Sequence, residues 1–259
     1  MDEDITTRVM ACLRQVPVIF CEDTRVTGEL LRRLGIRSTQ QLYRMDQHQE
    51  KRSFSRFDAV IEAGDVAFVS DAGSPGVSDP GAALVAHARS KHIAVHVLPG
   101  ASALTAFISG CGVVMSHFYF GGFLSKKAMA MRREIDECIH HQRVGIWFES
   151  PRRIQRVMSD LNDRWPMVPV VLVKELTKPH ELYFRGVANE VYDTLLTADL
   201  RGEWMLLLDA RSVVPDLTQR YQAIAEACHR AQLTGAQVKQ LAPWFNCSKN
   251  ELYDVFQVL

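Results

Sequence analysis

The densest concentration of loop-forming and polar residues runs Val69-Ser70-Asp71-Ala72-Gly73-Ser74-Pro75-Gly76-Val77-Ser78-Asp79-Pro80-Gly81. It follows a short apolar run, Val66 to Ser70, and precedes a stretch with helical spacing, Gly81 to Ser90. In open α/β sheets, ligands bind where strand ends turn into helices. Its glycines allow close backbone approach and positive φ, and its prolines stiffen the loop. The pattern is neither G-x-G-x-x-G nor a P-loop, so neither NAD nor ATP is favoured. Composition alone leaves a plain turn open, because the same residues are turn formers. A second loop, Leu98-Pro99-Gly100-Ala101-Ser102-Ala103, again joins a strand-like run to a helix. Backbone N–H groups at a helix start can receive a carboxylate; the plainer reading is capping by Ser102. Two such loops at neighbouring strand ends favour a shared pocket over either alone.

Further along, Trp147-Phe148-Glu149-Ser150-Pro151-Arg152-Arg153 follows an apolar run. An aromatic pair beside a carboxylate and a serine suits a flat polar ring; alternatively Trp147 and Phe148 are core and Pro151 opens a helix. Lys174-Glu175-Leu176-Thr177-Lys178-Pro179-His180-Glu181 packs titratable groups into a loop after another strand. Positive charge collects at Lys126, Lys127, Arg132 and Arg133, and at Arg152, Arg153 and Arg156. These residues suit phosphate contacts, or equally a solvated helix surface.

The elements that must position these groups alternate. Strand-like runs are Val16 to Cys21, Val66 to Ser70, Ile93 to Leu98, Phe118 to Phe123, Val144 to Phe148, Val168 to Val173 and Trp204 to Leu208. Helical spacing fills Gly81 to Ser90 and Lys126 to His141. This alternation predicts α/β domains with largely parallel sheets: residues 1–116, residues 117–212, and a helical tail over 213–259 with a helix-turn-helix outline. In the tail, Thr234/Gln237 and Ser248/Glu251 have capping-box spacing. Leu241, Trp244, Phe245, Leu252, Val255 and Phe256 would form its apolar seam. The chain opens on a helix, about Asp4 to Leu13, where a doubly wound domain usually opens on a strand.

The 30 basic and 30 acidic residues balance, which argues against an undirected nucleic-acid binder but allows one local basic face. Six scattered cysteines without a C-x-x-C pair point to a reducing compartment and away from structural zinc. The acidic start and the lack of a long apolar run predict a soluble, cytoplasmic protein without a membrane span.

Taken together, Cys21-Glu22-Asp23-Thr24-Arg25 with Leu34-Gly35-Ile36, the Ser70 to Gly81 loop, Leu98 to Ala103, Gly121-Gly122-Phe123-Leu124 with Lys127, Phe148 to Ile154, Glu175 to Lys178 with Arg185-Gly186, and Gly202-Glu203 resemble the tetrapyrrole-methylase superfamily of S-adenosylmethionine enzymes. The likeness runs from about Asp4 to the C-terminus and is strongest to the branch that acts on ribosomal RNA. It implies two α/β domains, S-adenosylmethionine held between them, and a homodimer. It also implies transfer to the 2′-hydroxyl of a cytidine in the decoding region of 16S ribosomal RNA, with the small (30S) subunit as partner. The donor-binding positions it implies are Ser74, Gly76, Ser78 and Asp79; Pro99, Gly100, Ala101 and Ser102; Phe148, Glu149 and Ser150; and Gly202 with Glu203. Lys126, Lys127, Arg132, Arg133, Arg152 and Arg153 would then face RNA. No metal is implied. Glu22, Asp23, Arg25, Glu149, Lys174 and Glu175 are the polar groups expected at strand ends, where a carboxylate would take the hydroxyl proton and Arg25 or Lys174 would orient ribose or phosphate.

Three departures accompany the likeness. The first strand that such proteins carry ahead of Asp4-Ile5-Thr6, ending in a Thr-Pro-Ile-Gly-Asn-like loop, is missing here, as from a late start, a trimmed chain or a degenerate protein. Gln47-His48-Gln49-Glu50 differs from the His- and Asn-containing stretch expected there, and Lys174 replaces a common Arg, forfeiting its planar fork. A small-molecule methylase of tetrapyrrole type and a non-catalytic ribosome-binding relic stay open as alternatives. The helical tail favours a large partner over a small ring.

Overall fold

A computed structural model describes residues 2–36, 39–45, 57–78, 80–213, 218–245 and 248–258. Residues 1–210 and 211–259 form two compact units, described separately below. Gln47 to Glu50 and Asp79 lie outside the described residues.

The first helix, α1 (Thr7–Gln15), starts where the Thr6 hydroxyl accepts the Val9 N–H. It leads into β1 (Val18–Cys21), buried at all four positions. β1 pairs in parallel with β2 (Gln41–Arg44) on one side and β3 (Val66–Val69) on the other. Burial on both faces explains the unbroken apolar run of β1. The helices α2 (Thr24–Arg33), α3 (Asp58–Glu62) and α4 (Ala82–Ser90) serve as connections. Asp23 caps α2 through the Arg25 N–H.

The expected strand over Ile93 to Leu98 does not form. The segment runs without strand pairing among the described residues, and Val97 is 78 % exposed. An apolar run alone does not make a strand; pairing does, and among the described residues the first sheet is β2-β1-β3.

The second sheet holds β4 (Tyr119–Phe123), β5 (Val144–Glu149), β6 (Pro169–Lys174), β7 (Leu182–Val187) and β8 (Trp204–Asp209) in the order β4-β5-β8-β6-β7. Only β4 and β5 pair in parallel, joined across α6 (Ala128–His140). The other three pairings are antiparallel, which corrects the expectation of largely parallel sheets. The short connection between β6 and β7 makes a hairpin, and β8 returns between β5 and β6. Neither arrangement needs a helical crossover between neighbouring strands.

One face of this sheet carries Val144, Ile146, Val171, Val173, Met205 and Leu207, at the two-residue spacing of a strand face. Phe107 and Cys111, from α5 (Ala103–Gly110) and its end, pack against them. This packing docks the carboxyl half of α5 on the second sheet, and the second glycine-bearing loop arrives at its amino end. The other faces are served by α7 (Ile154–Arg164) and α8 (Ala188–Leu195).

The C-terminal unit is helical: α9 (Thr218–Arg230), α10 (Gly235–Leu241) and α11 (Lys249–Val258). Its core is Tyr221, Ala225, Cys228, Val238, Ala242, Leu252 and Phe256, with Leu241 and Val255 partly buried beside it. Thr234 and Gln237 form the expected capping box. Trp244 leaves the expected seam: it sits on the 3-10 turn Ala242–Phe245, where Ala242 turns inward, and is 86 % exposed. Among the described residues, no helix is long and apolar enough to cross a membrane.

Candidate active site

The loops after β1, β3, β5 and β6 leave the carboxyl ends of strands, where backbone groups and side chains are free to face a ligand; the Leu98 to Ala103 loop follows an unpaired segment, and Gly202 and Glu203 precede β8. From β3, residues Ser70 to Gly81 loop out. Gly73 (φ 72) and Gly76 (φ 85) take the left-handed region, and a Cβ at either would meet nothing within 4 Å. The left-handed backbone accounts for glycine at both positions, and the space beside them, clear among the described residues, leaves room for a ligand. The Ser74 hydroxyl donates to the Ala101 carbonyl at 3.4 Å, bringing together the two loops singled out in the sequence. The Thr6 hydroxyl donates to the Pro99 carbonyl at 3.5 Å. Gly100 also faces open space.

Ser102 stands at the cap position of α5 with extended backbone, but its hydroxyl makes no capping hydrogen bond. The plain capping reading therefore does not account for it. The amino end of α5 keeps N–H groups without that side-chain acceptor, a setting suited to a carboxylate. Ser78 (φ 63) reaches the second sheet: a Cβ on Gly122 would lie 2.8 Å from its hydroxyl.

At the end of β5, the aromatic pair divides. Trp147 is fully buried over Gly121 and Gly145 and donates from Nε1 to Glu134 Oε1 at 2.7 Å; it is core. Phe148 is only partly buried and packs against Phe120 and Phe123. Glu149 is buried, accepts from the Ser150 N–H at 2.7 Å and lies 3.2 Å from the Arg153 guanidinium. The oxygen facing Arg153 is Oε2, which is charge-paired there but has no hydrogen-bond partner among the described residues. Burial pushes its carboxyl above the usual range, against the pull of the Ser150 N–H and of Arg153.

Glu175, Gly202 and Glu203 meet in one knot. Glu175 (φ 53) exchanges backbone and side-chain bonds with Glu203: its N–H donates to the Glu203 carbonyl at 2.9 Å, and its Oε1 accepts the Glu203 N–H at 2.8 Å. Lys178 donates to the same Oε1 at 3.1 Å and lies 3.1 Å from Glu203 Oε2. These donors, the Glu203 N–H first, hold the Glu175 carboxyl below its usual range. Gly202 (φ 117) must be glycine, because a Cβ would meet the Glu175 carboxylate at 2.7–2.9 Å. Lys174 turns away from this knot: it is buried and donates to the Asp199 carbonyl at 2.6 Å.

Across the first sheet, Glu22 accepts the Asp71 N–H at 3.1 Å and Asp71 accepts the Asp23 N–H at 3.3 Å, cross-bracing the ends of β1 and β3. Burial raises the Glu22 carboxyl above its usual range, partly offset by the Asp71 N–H. Arg25 is exposed and held by Asp23 through two hydrogen bonds at 2.6 and 3.1 Å.

The basic residues also divide. Arg153 donates to the carbonyls of Leu124 and Ser125 at 3.0 and 2.7 Å. Arg132 pairs with buried Asp160 at 2.6 Å and Arg133 with Glu137 at 2.9 Å. Lys126, Lys127 and Arg152 are exposed and have no acidic partner among the described residues. Sequence reasoning singled out Phe148 but not its packing between Phe120 and Phe123; the signal was the pair of glycines between those two. Among the described residues no group of three or more potential metal ligands occurs.

Known proteins resemble this chain along most of its length. The family of tetrapyrrole (corrin/porphyrin) methylases matches residues 2–192. A protein of Streptococcus pyogenes serotype M18 named ribosomal RNA small subunit methyltransferase I is 34% identical over 264 residues, spanning 99% of this chain and 91% of that protein. A protein of the same name from Neisseria meningitidis serogroup A is 33% identical over 97% of this chain and 88% of its own length. Among solved structures, diphthine synthase superposes with a TM-score of 0.63 at 14% identity, covering 80% of this chain and 84% of that one.

Proposed function

The chain belongs to the tetrapyrrole methylase family, and from that premise we propose that it is an S-adenosylmethionine-dependent enzyme that methylates small-subunit ribosomal RNA, at the 2′-hydroxyl of a cytidine in the decoding region. The names of its relatives support small-subunit RNA as substrate. The observation that carries the site assignment is the joined pair of loops, Ser74 to Ala101, opening onto free space at Gly73, Gly76 and Gly100.

These residues fit the donor. Its amino-acid carboxylate suits the uncapped amino end of α5 at Ser102. Its adenosine suits the backbone of Ser74 to Ser78 and the partly buried ring of Phe148, with Pro99, Gly100, Ala101 and Ser150 on the rim. Gly202 and Glu203 shape the far wall through Glu175. When bound, the donor supplies an electrophilic methyl carbon on a sulfonium.

The protein's own task is alignment and proton removal. Holding a ribose hydroxyl in line supplies much of the rate. A carboxylate of raised pKa then accepts the hydroxyl proton more readily than one held low. On that ground Glu22 is the better acceptor. Glu175 has its Oε1 occupied by two donors, and its place is structural. Arg25, exposed beside Glu22, orients ribose or phosphate; Lys174, occupied by Asp199, supports the strand end. Lys126, Lys127 and Arg152 supply phosphate contacts. The enzyme is taken to act as a homodimer in the cytoplasm.

The test is transfer of labelled methyl from S-adenosylmethionine to small ribosomal subunits lacking the modification. Label in RNA supports the reading; label that enters only a tetrapyrrole, or donor binding without transfer to any RNA, overturns it.

A further inference from the structure

β4 carries an irregularity that re-aims one side chain. Its register with β5 runs Phe120 opposite Ile146 but Phe123 opposite Phe148, three residues on one strand against two on the other. In a regular strand, residues three apart face opposite sides. Here the extra residue, with Gly122 in the left-handed region at φ 64, returns Phe123 to the side of Phe120. Both rings flank Phe148: Phe120 edge-on at 5.2 Å between centroids, Phe123 tilted at 5.4 Å. Phe120 and Phe148 are backed by the core of the second sheet. Phe123 is 60 % exposed, an apolar ring set in solvent on a buried support.

The bulge sits against the glycine-bearing loop, through Gly122 and Ser78. Three and four residues beyond Phe123 come the exposed Lys126 and Lys127, and the turn carrying them is held by Arg153 through Leu124 and Ser125. A bulge beside a ligand loop commonly serves to re-aim a side chain. An exposed aromatic face next to unpaired cations is how single-stranded RNA is held, by stacking a base and drawing in its phosphates.

We propose that Phe123, braced by Phe148, is the platform on which a base of the RNA substrate stacks when the target ribose enters the site. The inference rests on the reading of this site as one that methylates RNA. It assigns Phe123 to the acceptor and not to the donor.

The test compares the full-length chain with Phe123→Ala, Phe123→Leu and Phe123→Tyr. For each, the KM and kcat for small ribosomal subunits, their equilibrium binding by filter retention, and the affinity for S-adenosylmethionine by calorimetry are measured. Phe123→Ala should raise KM and weaken subunit binding about tenfold, within the range for loss of one stacked base, and leave donor affinity within twofold. Phe123→Tyr should restore binding and Phe123→Leu should not, because a π face and not apolar bulk is required. Equal binding by Phe123→Leu and the parent chain, no effect of Phe123→Ala, or a loss of donor affinity would each overturn the assignment. If the unaltered chain transfers no methyl to RNA but loses subunit binding on Phe123→Ala, the platform stands and the methylation reading falls.

Discussion

Glu149, the last residue of β5, and Arg153, just before α7, lie four residues apart across a turn, with carboxylate and guanidinium 3.2 Å from each other and the carboxylate side chain fully buried. The same guanidinium spans to the Leu124 and Ser125 carbonyls beyond β4. One arginine thus ties the ends of β4 and β5 together and neutralises a buried charge. Arg153→Ala removes the counter-charge and leaves the carboxylate stranded, at a cost of about 3–5 kcal/mol. Thermal unfolding should show a drop of several degrees, partly recovered by adding Glu149→Gln. Melting unchanged from the parent chain would show that Arg153 is not the strut described here.

Gly122 is required twice over, by its left-handed φ and by the Ser78 hydroxyl 2.8 Å from the position of a Cβ. Gly122→Ala should cost about 1–2 kcal/mol for the backbone alone, plus the contact with Ser78. The double variant Gly122→Ala with Ser78→Ala should recover the contact part only, because the Ser78 Cβ is 4.0 Å away. Denaturant midpoints of the two single variants and the double variant check this; strict additivity would refute the contact.

The Glu175 carboxyl is held below its usual range by the Glu203 N–H and then by Lys178. An acid whose folded pKa is lowered contributes stability above its unfolded value, near 4.5, and loses it as pH falls through the lower folded value. The stability gap between the parent chain and Glu175→Gln should therefore be constant above about pH 5 and close progressively below it. Melting curves from pH 7 to pH 3 measure this. For turnover, Glu22→Gln should slow methyl transfer more than donor binding, while Glu175→Gln should act chiefly through stability. The opposite ranking in single-turnover rates would move the proton acceptor to Glu175.

Lys126 and Lys127 are free of acidic partners among the described residues, whereas Arg132 and Arg133 are occupied. Replacing both lysines by alanine should lower the slope of log affinity against log salt by roughly 1.4, at about 0.7 per phosphate contact on single-stranded RNA. Replacing Arg133 should leave the slope as it was. Equal slopes for the parent chain and the double lysine variant would remove these lysines from the RNA face.

What could be read from the sequence follows from what each signal depends on. The loop from Ser70 to Gly81 and the helix after it were legible because glycine, proline and helical spacing act locally. Trp147 and Phe148 were not separable, since neighbours on a strand face opposite sides and only the packing of Gly121 and Gly145 decides which is buried. Ile93 to Leu98 is apolar at all but His96, like a buried strand, yet pairs with no strand among the described residues, a relation no single segment encodes. β2 and β7 went unseen because Gln41–Arg44 and Leu182–Val187 mix polar and apolar residues at sheet edges. Lys174 and Glu175 are adjacent in sequence, but Lys174 ends β6 and reaches Asp199, while Glu175 leaves the strand at φ 53 and turns to Glu203, a parting that adjacency does not reveal.

The most direct test of the account asks where the methyl group lands. A 2′-O-methyl blocks attack of that oxygen on the adjoining phosphate, so the linkage resists alkali. Small-subunit RNA labelled by this protein from S-adenosylmethionine should, after complete alkaline hydrolysis, carry its label in a single alkali-resistant dinucleotide beginning with cytidine. Label recovered in a mononucleotide would place the methyl on a base and contradict the proposed chemistry.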